Sequence, residues 1–214
     1  MDTRKLKTAL VYAGVAVLAV VLGLLAARYT GPSASGAAPS LEVGTALGGE
    51  AYQVPEFRLS DHRGDDFDQS RFEGRWSFVF FGYTYCPDIC PTTLATISST
   101  LKAVEPGEYP VQGVFVSVDP ERDHPERMAD YVSYFHDDIV GITGPDAEIT
   151  RLTGPLGILA VKTPDPNDPD NYLVDHSASI LLIDPKGRLS AVFGAPHDPL
   201  AMARDLATLR KHYR

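Results

Sequence analysis

The sequence predicts a layered α/β domain built around a mostly parallel central sheet, preceded by one transmembrane helix. Three observations predict it. Apolar strand-like runs alternate with helix-period segments through the chain, the pattern of strands joined by crossover helices. The last strand pair and the closing helix follow the order hairpin then helix, which adds an antiparallel end to the sheet. Near the N-terminus, Thr8 to Ala27 carries no charged side chain, and ~20 apolar residues are what a helix needs to cross the hydrocarbon core.

The elements follow in order. Arg4, Lys5 and Lys7 precede the apolar run and Arg28 follows it. Basic residues on the short side leave that tail in the cytoplasm and send the remainder outward. The run is longer than the ~7–15 apolar residues of a cleaved signal peptide, so residues 1–28 read as a cytoplasmic tail and uncleaved anchor. The short basic tail is unlike an organelle import leader, which points to a bacterial inner membrane with the domain facing the periplasm. "GPSASGAAPS" makes residues 29–44 a flexible linker, and the folded domain is expected over 45–214.

Within the domain, "YQVPEFRLSD" reads as extended and "DHRGDDFD" as a turn with its flanks. "WSFVFFGYT" is a continuous apolar run, the mark of a central strand buried on both faces. "CPTTLATISSTLKAV" places Leu94, Ile97, Leu101 and Val104 at helical spacing. "VQGVFVSVD" is a second buried strand, and "HPERMADYVSYFH" a helix with Pro125 in its first turn. "IVGIT" is a short strand, and "DAEITRLTG" a short helix ending at Gly154. "GILAVKTP" is a strand, and "SASILLIDPKGRLSAVFG" is two strands around a "DPKG" turn. The closing helix has Asp198 as N-cap and basic residues at its end. This order is the thioredoxin-like arrangement, a central mixed sheet flanked by helices.

The net charge is −9, and the first 28 residues carry +3, so the rest of the chain is strongly acidic. Such a body repels nucleic acid and suits neutral or basic partners.

Both cysteines, Cys86 and Cys90, lie where the first buried strand turns into a helix. Sites in open α/β sheets gather at that end of the strands. Unpaired N–H groups and the helix dipole favour a thiolate there, and the thiolate is both nucleophile and metal ligand. Pro87 suits a first helical position, and a spacing of four puts both sulfurs on one helix face. Two idle buried cysteines are a poor alternative, because an extracytoplasmic dithiol oxidises. A soft pair selects Cu(I) or zinc, and copper is also held by two sulfurs and an imidazole.

Among the six histidines, His62, His124, His136, His197 and His212 sit in turns, in a loop or at helix ends, where capping or solvation explains them. His176, in "LVDHSAS" just before a buried strand, is the best third donor, with Asp175 beside it. Other readings weigh less. The chain lacks the peroxiredoxin P-x3-T-x2-C pattern, and C-x3-C is wider than the C-x2-C of general disulfide oxidoreductases. A zinc site would have three ligands and no obvious fourth. "DPNDPDN" lacks the glycine of a calcium loop and reads as a solvated loop. Asp119 and Glu121 to Asp123 suit turn and helix formation but also fall near the cysteine end of the sheet. Met128 and Met202 are too few and too separated for a methionine copper site.

"GYTYCPDICPTTL" resembles the cysteine motif of the Sco/SenC family of copper-binding, membrane-anchored, thioredoxin-like proteins. "VFVSVDPERDHPERMADYVSYF", "IVGITG" and "VDHSASILLIDPKGRL" resemble its later motifs in order, so the likeness covers the domain and the anchor. His124 stands where Thr is more usual and Leu181 where an aromatic is common; neither is a family copper ligand. The resemblance implies copper held by Cys86, Cys90 and His176, and a role in building the copper centre of cytochrome c oxidase subunit II. It also implies a Cys86–Cys90 redox pair that reduces the target's cysteines. The partners it implies are that subunit or another extracytoplasmic copper protein, and periplasmic thiol-disulfide or copper-carrier proteins. The expectation is a copper carrier rather than an enzyme; read as an enzyme, it is a thiol-disulfide oxidoreductase.

Overall fold

The computed structural model describes residues 14–22, 38–48, 52–165 and 168–213. The chain divides into two compact units, Met1–Ala37 and Ala38–Arg214. In the first, residues 14–22 form a helix, α1, whose apolar side chains, among them Val15, Leu18 and Leu22, are exposed. The rest of the Thr8–Ala27 run lies outside the described residues. Among the described residues no helix is long and apolar enough to cross a membrane.

The second unit holds strands β1 (Gly44–Ala46), β2 (Tyr52–Gln53), β3 (Arg58–Asp61), β4 (Asp66–Asp68), β5 (Trp76–Gly82), β6 (Val111–Ser117), β7 (Ile139–Thr143), β8 (Ala160–Asp165), β9 (Asp168–His176), β10 (Ile180–Ile183) and β11 (Arg188–Phe193). Its helices are α2 (Ile89–Ala103), α3 (Pro125–Ser133), α4 (Asp146–Thr153) and α5 (Pro199–His212). The main sheet runs β1-β11-β10-β5-β6-β7-β3-β4, with β2 paired to β11. Among the described residues only β5–β6 and β6–β7 pair in parallel. The sheet is therefore mixed, as the sequence predicts, with less of it parallel than the alternation of strands and helices suggests. The difference arises because β3 and β10 flank the parallel centre antiparallel, on β7 and β5 respectively.

The hydrophobic pattern accounts for the centre. All seven residues of β5 are buried, as a strand covered on both faces requires. In α2 the buried residues Cys90, Thr93, Leu94 and Ile97 recur at three- and four-residue steps, which lays one stripe against the sheet. That stripe begins with a cysteine. Pro125 opens α3, and the Asp198 carboxylate caps α5 through the N–H groups of Leu200 and Ala201 at 2.9 and 3.0 Å. In the turn between β10 and β11, Gly187 takes φ 72°, a conformation that a side chain resists.

The folded unit reaches upstream of residue 45. The Asp205 carboxylate accepts bonds from the backbone N–H groups of Glu42, Val43 and Gly44 at 2.6 to 3.0 Å, and Arg204 pairs with Glu42. These bonds dock the end of the expected linker onto α5.

Three segments differ from the sequence reading. Asp66–Asp68 forms a strand rather than a turn flank, with Phe67 buried against Phe57 and Phe72. The "GILAVKTP" strand does not join the main sheet. It pairs with β9 in a separate two-stranded sheet, so His176 ends a strand rather than lying in a loop.

Candidate metal centre

β5 delivers the chain to the site, and the turn 83–88 separates it from α2. A buried carboxylate fixes that turn. Asp123 accepts the Thr84 N–H at 3.0 Å, the Thr84 hydroxyl, and the Ser117 hydroxyl at 2.7 Å. Arg127 Nε donates to the Thr84 hydroxyl oxygen at 2.6 Å. Burial pushes the Asp123 carboxyl up, against the lowering by the bonds from Thr84 and Ser117. The acidic turn after β6 is thus a buttress under the cysteine turn. Its signal in the sequence was a carboxylate shortly after a buried strand.

Cys86 sits in the turn, ahead of the helix rather than on it. α2 begins at Ile89 with Asp88 as N-cap, so Pro87 is not its first residue and the two cysteines do not share a helical face. What joins them is the helix N-terminus: the Cys90 N–H donates to Cys86 Sγ at 3.4 Å. Cys86 is half-buried and Cys90 is fully buried. Room for the Cys90 sulfur comes from Gly82, where a Cβ would lie 2.6 Å from Sγ.

The third donor arrives on β9. His176 Nε2 lies 3.2 Å from Cys90 Sγ, and Nδ1 lies 3.2 Å from the Ser177 carbonyl. In the tautomer that metal binding would require, Nδ1–H donates to that carbonyl and the Nε2 lone pair faces the sulfurs; in the other tautomer Nε2–H donates to them instead. Phe80 and Tyr83 hold the imidazole edge-on, with ring centroids 5.7 and 5.9 Å away. The two sulfurs and an imidazole nitrogen all lie within 4.8 Å of one another. Two thiols and an imidazole are the donor chemistry that a soft ion such as Cu(I) takes.

The cysteines differ in ionisation. The Cys86 thiol is lowered to about 4, first by the bond from Cys90 against the opposing effect of burial, then by His176 and by the N–H groups of Asp88 and Cys90. Cys90 is pushed far up, because it donates to Cys86 and is buried. The metal-free pair therefore holds one half-buried thiolate and one buried thiol.

The other histidines lie elsewhere. His62 accepts the Gly141 N–H, His136 accepts the Asp138 N–H, and His212 bonds the Thr208 carbonyl. His124 is the N-cap of α3 without a side-chain cap bond. His197 Nε2 bonds the Ala178 carbonyl at 2.9 Å and so braces the segment after His176. Asp175 points away from the ring and accepts from Thr163. Met128 and Met202 are buried in the core. The "DPNDPDN" run covers the tip of the β8–β9 hairpin, partly outside the described residues. Gly82, Tyr83, Thr84 and Tyr172 were not singled out by sequence, and Arg122 only as part of the Glu121 to Asp123 turn, because their roles depend on contacts between distant segments.

The fold and the site together define a class: a thioredoxin-like domain that gathers two cysteines and a histidine where β5 meets α2. The family model for SCO1/SenC matches residues 46–211, and the chain belongs to that family. It is 40% identical over 141 residues to the human mitochondrial protein SCO2 homolog, covering 65% of this chain and 53% of the relative. An SCO2-like protein of Rickettsia prowazekii is 36% identical over 132 residues, covering 62% of this chain and 64% of the relative. The chain thus spans about half to two thirds of the length of these curated relatives. Two copper-bound structures share the fold. Arabidopsis thaliana ScoI superposes with a TM-score of 0.70 at 30% identity, over 75% of this chain and 99% of that one. Bradyrhizobium japonicum ScoI gives 0.66 at 37% identity, over 74% and 99%.

Proposed function

We propose that this chain is a copper carrier for the assembly of cytochrome c oxidase, binding one copper ion through Cys86, Cys90 and His176. The observation that carries the reading is the convergence of two sulfurs and one imidazole nitrogen within 4.8 Å, on two separate segments, with Cys86 the less buried of the two cysteines. The copper-bound ScoI structures of the same fold support the choice of metal. Copper is cargo here. Cys86, the less buried cysteine, is the donor that a partner's thiols meet first. His176 rides on a hairpin outside the main sheet, so it can leave the ion without unfolding the domain.

The proposed organisation is a cytoplasmic tail and membrane anchor over 1–28, a linker over 29–44 and the copper-binding domain over 45–214. The uncharged Thr8–Ala27 run and the exposed apolar side chains of α1 support anchoring in a bacterial inner membrane, with the domain in the periplasm.

A second reading follows from the split ionisation of the cysteines, which suits thiol-disulfide exchange. The Cys86 thiolate would attack a partner disulfide, forming a mixed disulfide and expelling one partner thiolate. Cys90, on losing its proton, would attack the Cys86 sulfur, closing the Cys86–Cys90 disulfide and expelling the second. The partner gains two electrons, and an extracytoplasmic dithiol must reset the pair.

One experiment separates the readings. The copper-loaded chain and the reduced, metal-free chain are each mixed with an apo fragment of oxidase subunit II whose cysteines are reduced or oxidised. Copper appearing on the reduced fragment supports the carrier. Reduction of the oxidised fragment with no copper transfer would replace it with the reductase.

A further inference from the structure

The β8–β9 hairpin that carries His176 has no strand partner in the main sheet. A lone two-stranded hairpin is marginally stable in water, so side chains must hold it in place. Among the described residues these contacts converge on Arg122, in the turn between β6 and α3.

The Arg122 guanidinium reaches three segments at once. On its own turn, Nε donates to the Asp119 carboxylate, which is fully buried. On the hairpin, Nη1 donates to Asn171 Oδ1 at 2.7 Å and to the Tyr172 carbonyl at 3.0 Å. Its plane lies over the Tyr172 ring, 3.7 Å from the centroid. On the cysteine turn it faces Tyr85 at 5.0 Å and Tyr83 at 5.5 Å, and Tyr83 is one of the two rings that grip His176. The Tyr172 hydroxyl closes the network by donating to Asp119 at 2.7 Å and to Glu121 at 3.1 Å, and Glu121 pairs with Lys162 of β8 at 2.9 Å. A planar, always-charged fork can hold a carboxylate, a carbonyl and a ring face together; an ammonium cannot.

The geometry points to Arg122 as the residue that positions His176: a latch that pins the hairpin to the cysteine turn and so sets whether the site offers three donors or two. With the latch closed, Tyr172, four residues before His176 on the same strand, is fixed, and the imidazole is held against Cys90. With the latch open, β9 keeps its pairing to β8 and the burial of Val174 but loses its polar tie to the β6–α3 turn, so His176 can leave while both sulfurs stay. Arg122 touches no sulfur and not the imidazole, so it acts through the hairpin alone. The consequence for copper rests on the proposed function, whereas the positioning of His176 does not.

The test is amide hydrogen exchange on the reduced, metal-free full chain, comparing the parent with Arg122→Ala, Arg122→Lys and Tyr172→Phe. In Arg122→Ala, exchange at residues 171–177 should speed up by about tenfold or more while β5 and β6 keep their protection, because opening is local. Arg122→Lys should fall between the parent and the alanine variant, and Tyr172→Phe should give a smaller rise at the same amides. These milder variants decide the matter if the alanine variant does not fold. A second readout is the Cu(II) absorption spectrum, which in Arg122→Ala should shift toward that of His176→Ala while both thiolates still bind. An unchanged hairpin, or an equal rise in the hairpin and the core strands, overturns the latch. A parent that binds no copper would overturn the proposed function and leave the exchange result to stand alone.

Discussion

Changing the pH of the reduced, metal-free chain separates the two cysteines, and the size of the effect can be worked out. An ordinary thiol near 9 is about one part in a thousand thiolate at pH 6, whereas Cys86, lowered to about 4, is almost fully ionised there. A lower pKa also weakens the nucleophile. With a Brønsted slope of about 0.4–0.5, five units remove about two orders of magnitude of intrinsic reactivity. Against a small aromatic disulfide probe, Cys86 should therefore react about three- to tenfold faster than an ordinary thiol at pH 6, and about ten- to thirtyfold more slowly at pH 8. Its rate should be nearly flat between these values, while the denatured chain gains about tenfold per pH unit. The causes are ordered, so Cys90→Ala should move the Cys86 midpoint upward more than His176→Ala does. The same shifts fix the sign of the stability profile. Between about 4 and 9 the unfolded chain holds a proton that folded Cys86 has lost, so stability rises with pH. Above that window unfolded Cys90 ionises while the folded thiol stays protonated, and stability falls again. A Cys86 rate that climbs about tenfold per unit through pH 6–8, parallel to the denatured chain, would refute the reasoning.

Gly82→Ala sets a Cβ 2.6 Å from Cys90 Sγ and 2.9 Å from the Phe115 ring, so urea denaturation should show a loss of about 1–3 kcal/mol, with Cys90 displaced. Asp205→Ala leaves the N–H groups of Glu42, Val43 and Gly44 without their acceptor, and should lower stability by about 1–3 kcal/mol while freeing β1 to exchange its amides. Protease added to spheroplasts should digest the domain; full protection would reverse the proposed orientation.

The centre of the fold was legible because burial wrote it locally. "WSFVFFG" is apolar at every position and forms β5, and the spacing of Leu94 and Ile97 set the buried face of α2. The cap at Asp198 and the "DPKG" turn were legible for the same local reason. The cysteines and His176 were found by residue type and order, and the structure brings their donor atoms together. What stayed hidden depends on distant partners. β9 reads "DPDNYLVDH", polar and rich in turn formers, and becomes a strand only through pairing with β8. Tyr172 and Arg122 are 50 positions apart, and no local period marks their contact. A mixed sheet was legible, but how little of it is parallel was not, because β3 and β10 join their neighbours antiparallel, a choice made by chain path rather than by side-chain pattern.

Copper binding by single-site variants tests the central claim most directly. The reduced chain should bind one copper through two thiolates and an imidazole. His176→Ala should still hold Cu(I), for which two thiolates suffice, but should hold Cu(II) poorly and with an altered spectrum. Replacing Cys86 or Cys90 with Ser should impair both oxidation states, and His62→Ala should match the parent. Stoichiometry by metal analysis and absorption spectra would decide it. A His176→Ala chain that binds Cu(II) with the parent's spectrum, or cysteine variants that keep full copper binding, would contradict the account.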